Sequence, residues 1–218
     1  MMRMVDAATL TDGQRAALAK LGCGSERPGS LTLLCGAPGT GKTTVLSGLA
    51  AGLSRGNRSC VSLRLADWLV KPDAVGPLPD LVIADDAHDA DAGEIGRLMD
   101  ACRSRRPAAA VVLAGEGRLL TLVSRDRELE QTVGLRATLH PFSFAETRRL
   151  VAPILPGLAS SPEFDDVART IHEIAAGIPR SAVKLAELAA VVAGSRADGS
   201  LDVADVERIH RRLSLQAA

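Results

Sequence analysis

Gly36-Ala37-Pro38-Gly39-Thr40-Gly41-Lys42-Thr43 decides how the rest of the chain is read. The stretch fits G-x-x-x-x-G-K-[ST] and follows a short apolar run, residues 31–35. After it comes a segment of helical spacing, residues 43–54, with Val45, Leu46, Leu49 and Leu53 on one face. Strand, glycine-rich turn and helix, in that order, is the setting this motif requires. The glycines let successive backbone N–H groups turn inward around a phosphate without a Cβ in the way. The positive end of the following helix adds attraction for the anion. Gly36, Ala37, Pro38, Gly39, Thr40, Gly41, Lys42, Thr43 and Thr44 are therefore expected to line the phosphates of ATP. Lys42 would reach the β- and γ-phosphates, and the Thr43 hydroxyl would join a Mg2+ shell.

Further apolar runs at 59–65, 81–84, 109–114 and 135–139 read as strands. Between them, residues 91–105 place Ile95, Leu98, Met99 and Cys102 on one helical face, and 117–123 reads as another helix. The alternation predicts an α/β fold: a five-stranded, mostly parallel P-loop sheet with helices on both faces. Upstream, Thr11 offers an N-cap for a short helix over 12–21, and 22–30 reads as a loop after an irregular Met-rich start. Past Pro141 the strand pattern stops, and helical segments are expected at 143–154, 162–176, 180–192 and 203–213. The expected domains are an N-terminal helix and linker (1–29), a nucleotide-binding core (30–140) and a small helical lid domain (141–218). The segment 65–79 holds Lys71-Pro72 and Pro77-Leu78-Pro79, and its Trp68 and Leu69 are expected to pack on the sheet edge, with a partner-facing loop as the alternative.

Composition narrows the function classes. The chain has 218 residues, 46% of them hydrophobic, which suffices for a sizeable core. With one Trp, three Phe and no Tyr, a base-stacking platform for single strands is not expected. Lys plus Arg and Asp plus Glu balance at 26 each, so net charge does not indicate a DNA partner. The basic runs at 103–106 and 208–212 read as solvated helix ends. Four cysteines without a CxxC pair predict neither disulfides nor zinc and fit a reducing cytoplasm. Cys35 and Cys60 lie in apolar runs and read as small buried hydrophobes. No apolar run approaches the ~20 residues of a membrane span.

Binding a nucleotide needs a cradle; hydrolysing one needs a metal anchor and a group that orients water. The run 81–84 ends in Asp85-Asp86, two carboxylates at the carboxyl edge of a strand, where open α/β sheets bind ligands. Asp85 is expected to hold Mg2+, and Asp86 to act as base or to position water. His88, Asp89 and Asp91 read as solvated turn residues.

Gly36–Thr43, Leu81–Asp86, the strand ending at Gly115-Glu116, and Gly177-Ile178-Pro179-Arg180 occur in the order that resembles AAA+ ATPases. Within them the pattern is similar to the branch of secretion-pathway A-type and transposition helper ATPases. The resemblance covers residues 30–192 and implies an ATPase with Lys42, Asp86 and Arg180 in its catalytic set. Many relatives carry Glu where this chain has Asp86, one methylene shorter. Glu116 takes the first-sensor position, where Asn, Gln, Thr or Ser is more usual. A carboxylate there would repel a γ-phosphate unless protonated or paired with Mg2+. Arg180 matches the second-sensor arginine that reports whether ATP or ADP is bound. The resemblance also implies a homo-oligomer joined through the nucleotide site, with an arginine supplied in trans. Arg125 and Arg127 lie in the right region, Arg136 is a weaker candidate, and a solvated charged loop stands as the alternative for that stretch.

Three functional readings follow. The first is an ATP-hydrolysing module acting on a partner protein complex. The second is a regulatory nucleotide switch or scaffold with little hydrolysis, motivated by Asp86 and Glu116. The third is a DNA-associated helper or helicase-like motor, for which Gln14 in Leu10-Thr11-Asp12-Gly13-Gln14-Arg15 is a faint echo of an adenine-reading glutamine. A helicase needs a second lobe for which the chain is short, and Gln14 reads as a surface residue on a short helix.

Overall fold

The computed structural model describes residues 10–70, 77–196 and 199–216. The Met-rich start and Lys71-Pro72 lie outside the described residues. The chain divides into two compact units, one comprising residues up to 37 together with 41–140, the other residues 38–40 together with 141–218.

In the first unit, strands β1 (Leu31–Gly36), β2 (Cys60–Arg64), β3 (Leu81–Asp85), β4 (Ala110–Gly115) and β5 (Val133–Leu139) form a sheet of order β2-β3-β4-β1-β5. Every pairing is parallel. Successive side chains of a strand point to opposite faces, so a doubly covered sheet needs continuous apolar runs. β1 and β4 are buried at every position. One face packs Leu33, Cys35, Val82 and Leu113 against Ile95, Leu98 and Met99 of α4 (Ala92–Arg105) and Leu119 of α5 (Gly117–Arg125). The other packs Leu34, Ile83 and Val112 against Ala17 and Leu21 of α1 (Asp12–Ser25) and Val45, Leu46 and Leu49 of α2 (Lys42–Arg55). Each such Leu or Ile contributes about 1.5–3 kcal/mol on burial. The predicted α/β sheet with helices on both faces is the architecture found.

Several boundaries differ from the sequence reading. α1 runs through Gly22 and Gly24 to Ser25, where the composition predicts a loop. A Cβ on Gly24 would collide with the Thr32 side chain, so Gly24 serves close helix–strand approach rather than chain reversal. The second strand stops at Arg64, and α3 (Leu65–Val70) turns Leu65 and Trp68 into the core. A short helix α6 (Arg127–Thr132) has no counterpart in the sequence pattern. It forms because the Asp126 side chain accepts from the N–H groups of Glu128 and Leu129, both at 3.0 Å.

The basic run at the end of α4 is structural rather than merely solvated. Arg103 bonds the Glu128 carboxylate (2.8 Å) and the Thr132 hydroxyl (2.9 Å). Arg106 donates to the Leu78 carbonyl (2.9 Å) and pairs with Asp80. The N–H and hydroxyl of Ser59, and then Arg106, hold the Asp80 carboxyl below its usual range. Burial pushes the Cys35 and Cys60 thiols up, and that of Cys102 up to about 11. Cys23 is exposed, and no disulfide joins these cysteines.

The second unit holds, among the described residues, the helices α7 (Phe144–Val151), α8 (Phe164–Ile174), α9 (Pro179–Gly194) and α10 (Val203–Gln216). Val151, Phe164, Ile171, Leu185 and Val206 form a core of its own. Ser143 caps α7 in a reciprocal box with Glu146, and the helix ends at Val151, three residues before the expected Ile154. Asp205, 1% exposed at its side chain, receives both ends of the Arg196 fork (2.6 Å each) and Arg208 (2.7 Å). Part of the second basic run is therefore an anchor for α10. Arg196, ahead of Asp202 and Arg208, holds the Asp205 carboxyl down to about 2.

Candidate phosphate-binding site

The loop after β1 ends at Gly41, the N-cap of α2, with φ at +96°, a conformation open to glycine. Lys42 is the first residue of α2 and only 9% exposed. Its Nζ donates to the carbonyls of Gly36 (2.9 Å) and Ala37 (3.2 Å), so the ammonium lies folded into the loop. The first turn of any α-helix leaves N–H groups without partners inside the helix. At the start of α2 those donors belong to a loop that already carries a cation, an arrangement suited to an anion.

Gln14 is not the surface residue expected from its sequence setting. It is buried, its Oε1 accepts from the Thr11 N–H (3.2 Å), and its own N–H donates to the Thr11 hydroxyl (3.3 Å). A Cβ on Gly41 would lie 2.5 Å from Gln14 Nε2, so the amide rests directly on the phosphate loop. Spacing carries the signal: Gln14, Ala17, Leu21 and Gly24 are buried positions of α1, three or four apart.

On the metal side, the Thr43 hydroxyl donates to Asp85 Oδ2 at 3.0 Å, although the two lie 42 residues apart in the chain. The other oxygen, Oδ1, accepts from the Asp86 N–H at 3.0 Å. Asp86 is exposed and stands at φ +55°, a left-handed conformation that Asp tolerates better than most residues. A hydroxyl and a carboxylate oxygen in contact are hard donors that fit Mg2+, an ion that keeps waters and phosphate oxygens in most of its shell.

The turn after Asp86 is tied to the neighbouring strand, where the Ala87 N–H donates to the Ala114 carbonyl at 2.9 Å. His88, expected as a solvated turn residue, has a side chain only 16% exposed. A Cβ on Gly115 would lie 3.0 Å from His88 Cβ and 3.2 Å from Nδ1, so glycine lets the imidazole pack there. Its Nε2 lies 3.4 Å from Glu116 Oε1 and 3.7 Å from Asp89 Oδ1. Glu116 is the N-cap residue of α5, yet its side chain makes no capping bond. Asp91 caps α4 in a box with Glu94, and Asp89 is exposed. The burial of His88 depends on a strand end far along the chain, at Gly115, a non-local cause that no spacing rule detects.

Arg125 closes α5 and Arg127 opens α6, both exposed, so the stretch for which a charged loop was the alternative reading is two short helices. Arg136, on β5, pairs with Glu130 at 2.6 Å. In the second unit, the turn into α9 has Ala176 at φ +49° and Gly177 at +69°. A Cβ on Gly177 would lie 2.5 Å from the Phe142 carbonyl, so only glycine fits. Pro179 then begins α9, placing Arg180 exposed in its first turn. Within this unit, which includes the loop tip 38–40, the Arg180 N–H donates to the Gly39 carbonyl at 3.3 Å.

No protein-family model matches the chain, and no curated protein matches it. Solved structures do. A mutant form of Thermotoga maritima RuvB is 17% identical with a TM-score of 0.66, over 92% of this chain and 70% of that one. Domain III of the Thermotoga maritima replication initiation protein DnaA is 13% identical with a TM-score of 0.63, over 91% of each chain. Hsp104, in a closed state with ATPγS and FITC casein, is 17% identical with a TM-score of 0.61, over 93% of this chain and 42% of that one. At these identities the likeness is one of fold alone, and it agrees with the expected α/β architecture.

Proposed function

We propose that the chain is an ATP-binding and ATP-hydrolysing module of AAA+ type, in the secretion-pathway A and transposition-helper branch. It would couple nucleotide state to homo-oligomer assembly or to action on a partner protein complex. The Thr43–Asp85 bond beside the inward-folded Lys42 carries this reading, because it joins cradle and metal anchor in one place. ATP would draw the Lys42 ammonium from the Gly36 and Ala37 carbonyls to the β- and γ-phosphates. Thr43 and Asp85 would hold Mg2+, which offsets phosphate charge. Asp86 would orient the attacking water and take up its proton. In the helical unit, read as the lid, Arg180 would report the γ-phosphate, and Arg125 or Arg127 would serve a neighbouring copy.

A second reading, a nucleotide switch with little turnover, is favoured by the short Asp86 side chain on left-handed backbone and by the Glu116 carboxylate. Phosphate release by the purified protein separates the two. Turnover abolished by Lys42→Ala supports the ATPase; binding without release above that control supports the switch. A third, DNA-associated reading draws on the fold alone, since RuvB is a Holliday junction branch migration motor and DnaA a replication initiation protein. Stimulation of turnover by junction or duplex DNA would favour it. A soluble cytoplasmic setting is proposed; among the described residues no helix is long and apolar enough to cross a membrane.

A further inference from the structure

The sheet's carboxyl edge carries an acid–imidazole pair that the proposed hydrolysis does not require. The register of β1 on β4 sets Cys35 opposite Gly115, which puts Glu116 level with Gly36, the first residue of the phosphate loop. The bond from the Ala87 N–H to the Ala114 carbonyl lays the turn after β3 over the end of β4 and seats His88 against Gly115. Nδ1 of that imidazole is buried and has no hydrogen-bond partner among the described residues. A neutral imidazole carries one N–H, and a buried donor without an acceptor is costly. The proton therefore belongs on Nε2, which faces the carboxylates of Glu116 and Asp89. Glu116 makes no capping bond to α5, and its Oε1 lies 3.4 Å from His88 Nε2.

We propose that His88 is a positioning residue that holds the Glu116 carboxylate toward the phosphate loop, and that this fixed negative charge biases the site against the γ-phosphate. The proposal rests on the reading of Gly36–Thr43 as a nucleotide site and adds its regulation: the site favours ADP over ATP more than an uncharged residue at 116 would allow. One unit charge a few ångströms from a phosphate in a partly wet site shifts affinity roughly tenfold. ADP lacks the γ-phosphate and should feel little of it.

The test is a pair of dissociation constants, for ATPγS and for ADP, measured on the full chain by displacement of a fluorescent nucleotide, with Mg2+ and with EDTA. In Glu116→Gln the ratio of the ATPγS constant to the ADP constant should fall roughly tenfold, with ADP itself moving less than about twofold. His88→Ala frees the carboxylate to turn into solvent and should lower the ratio in the same direction. His88→Gln keeps an N–H in reach and should stay near the wild-type ratio, which a purely packing role for the ring would not produce. The His88→Ala/Glu116→Gln double variant should match Glu116→Gln alone. An unchanged ratio in Glu116→Gln, or equal behaviour of His88→Ala and His88→Gln, overturns the proposal and leaves the nucleotide site standing. A wild-type protein that binds neither nucleotide, or binds both as well after Lys42→Ala, overturns the site reading and this inference with it.

Discussion

Gly41 stands at φ +96° with the Gln14 amide where its side chain would begin. Two separate costs therefore meet any substitution there. Gly41→Ala should destabilise by about 1–3 kcal/mol, from left-handed strain plus displacement of Gln14. Adding Gln14→Ala should recover only the displacement part, a partial rescue visible in denaturant midpoints. Full rescue would mean the strain is absent. Gln14→Glu places a carboxylate on the loop and should weaken nucleotide binding more than Gln14→Ala does, as a binding titration would reveal. At this scale the sequence names Lys42, Thr43 and Asp85, because their chemistry is tied to local motif spacing. Gln14 and His88 escape it for different reasons. The apolar face of α1 is traced through hydrophobic residues, which passes over a buried amide, and the packing of His88 against Gly115 is a tertiary event.

Elements show the same division between local and non-local causes. The strands are legible because burial on both faces demands unbroken apolar runs, and β1, β3 and β4 supply them. The ends of helices are less so. Gly22 and Gly24 look like breakers, yet α1 passes through both, since Gly24 must lie against Thr32. Gly24→Ala is the corresponding test: its methyl group strikes the Thr32 side chain, and overpacking of this kind costs about 1–3 kcal/mol. A lowered denaturant midpoint with unchanged m-value is the expected outcome, and Thr32→Ala in the same chain should relieve it. If Gly24→Ala instead stabilises, as Ala does in an unconstrained helix, the close approach is not what the glycine serves. α6 shows how one side chain can create an element, because Asp126 supplies acceptors for two N–H groups that would otherwise lack them.

Across the whole molecule, the two units have separate hydrophobic cores, so their stabilities can respond separately to solution conditions. The Asp205 anchor makes acid the discriminating variable. Its folded carboxyl titrates at about 2, below the ordinary 3.8. A depressed carboxyl contributes stability that is fully present above the unfolded value and is lost as pH falls through the folded one. The helical unit should therefore weaken between about pH 4 and pH 2, by at most about 2 kcal/mol from this group. Amide exchange on α10, followed across that range and corrected for the intrinsic effect of pH, should show protection falling in the native protein. In Asp205→Asn protection should start low at neutral pH and respond less to acid; an unchanged acid response there would show that another group is responsible. The distribution of thiols has a practical side. Cys35 and Cys102 are buried with raised thiols and Cys60 is half-buried and raised, whereas Cys23 is exposed near the end of α1. A maleimide dye should choose Cys23 without any engineered mutation. That dye would ride on the helix whose other end carries Gln14 against Gly41, a native reporter for the arrival of phosphate.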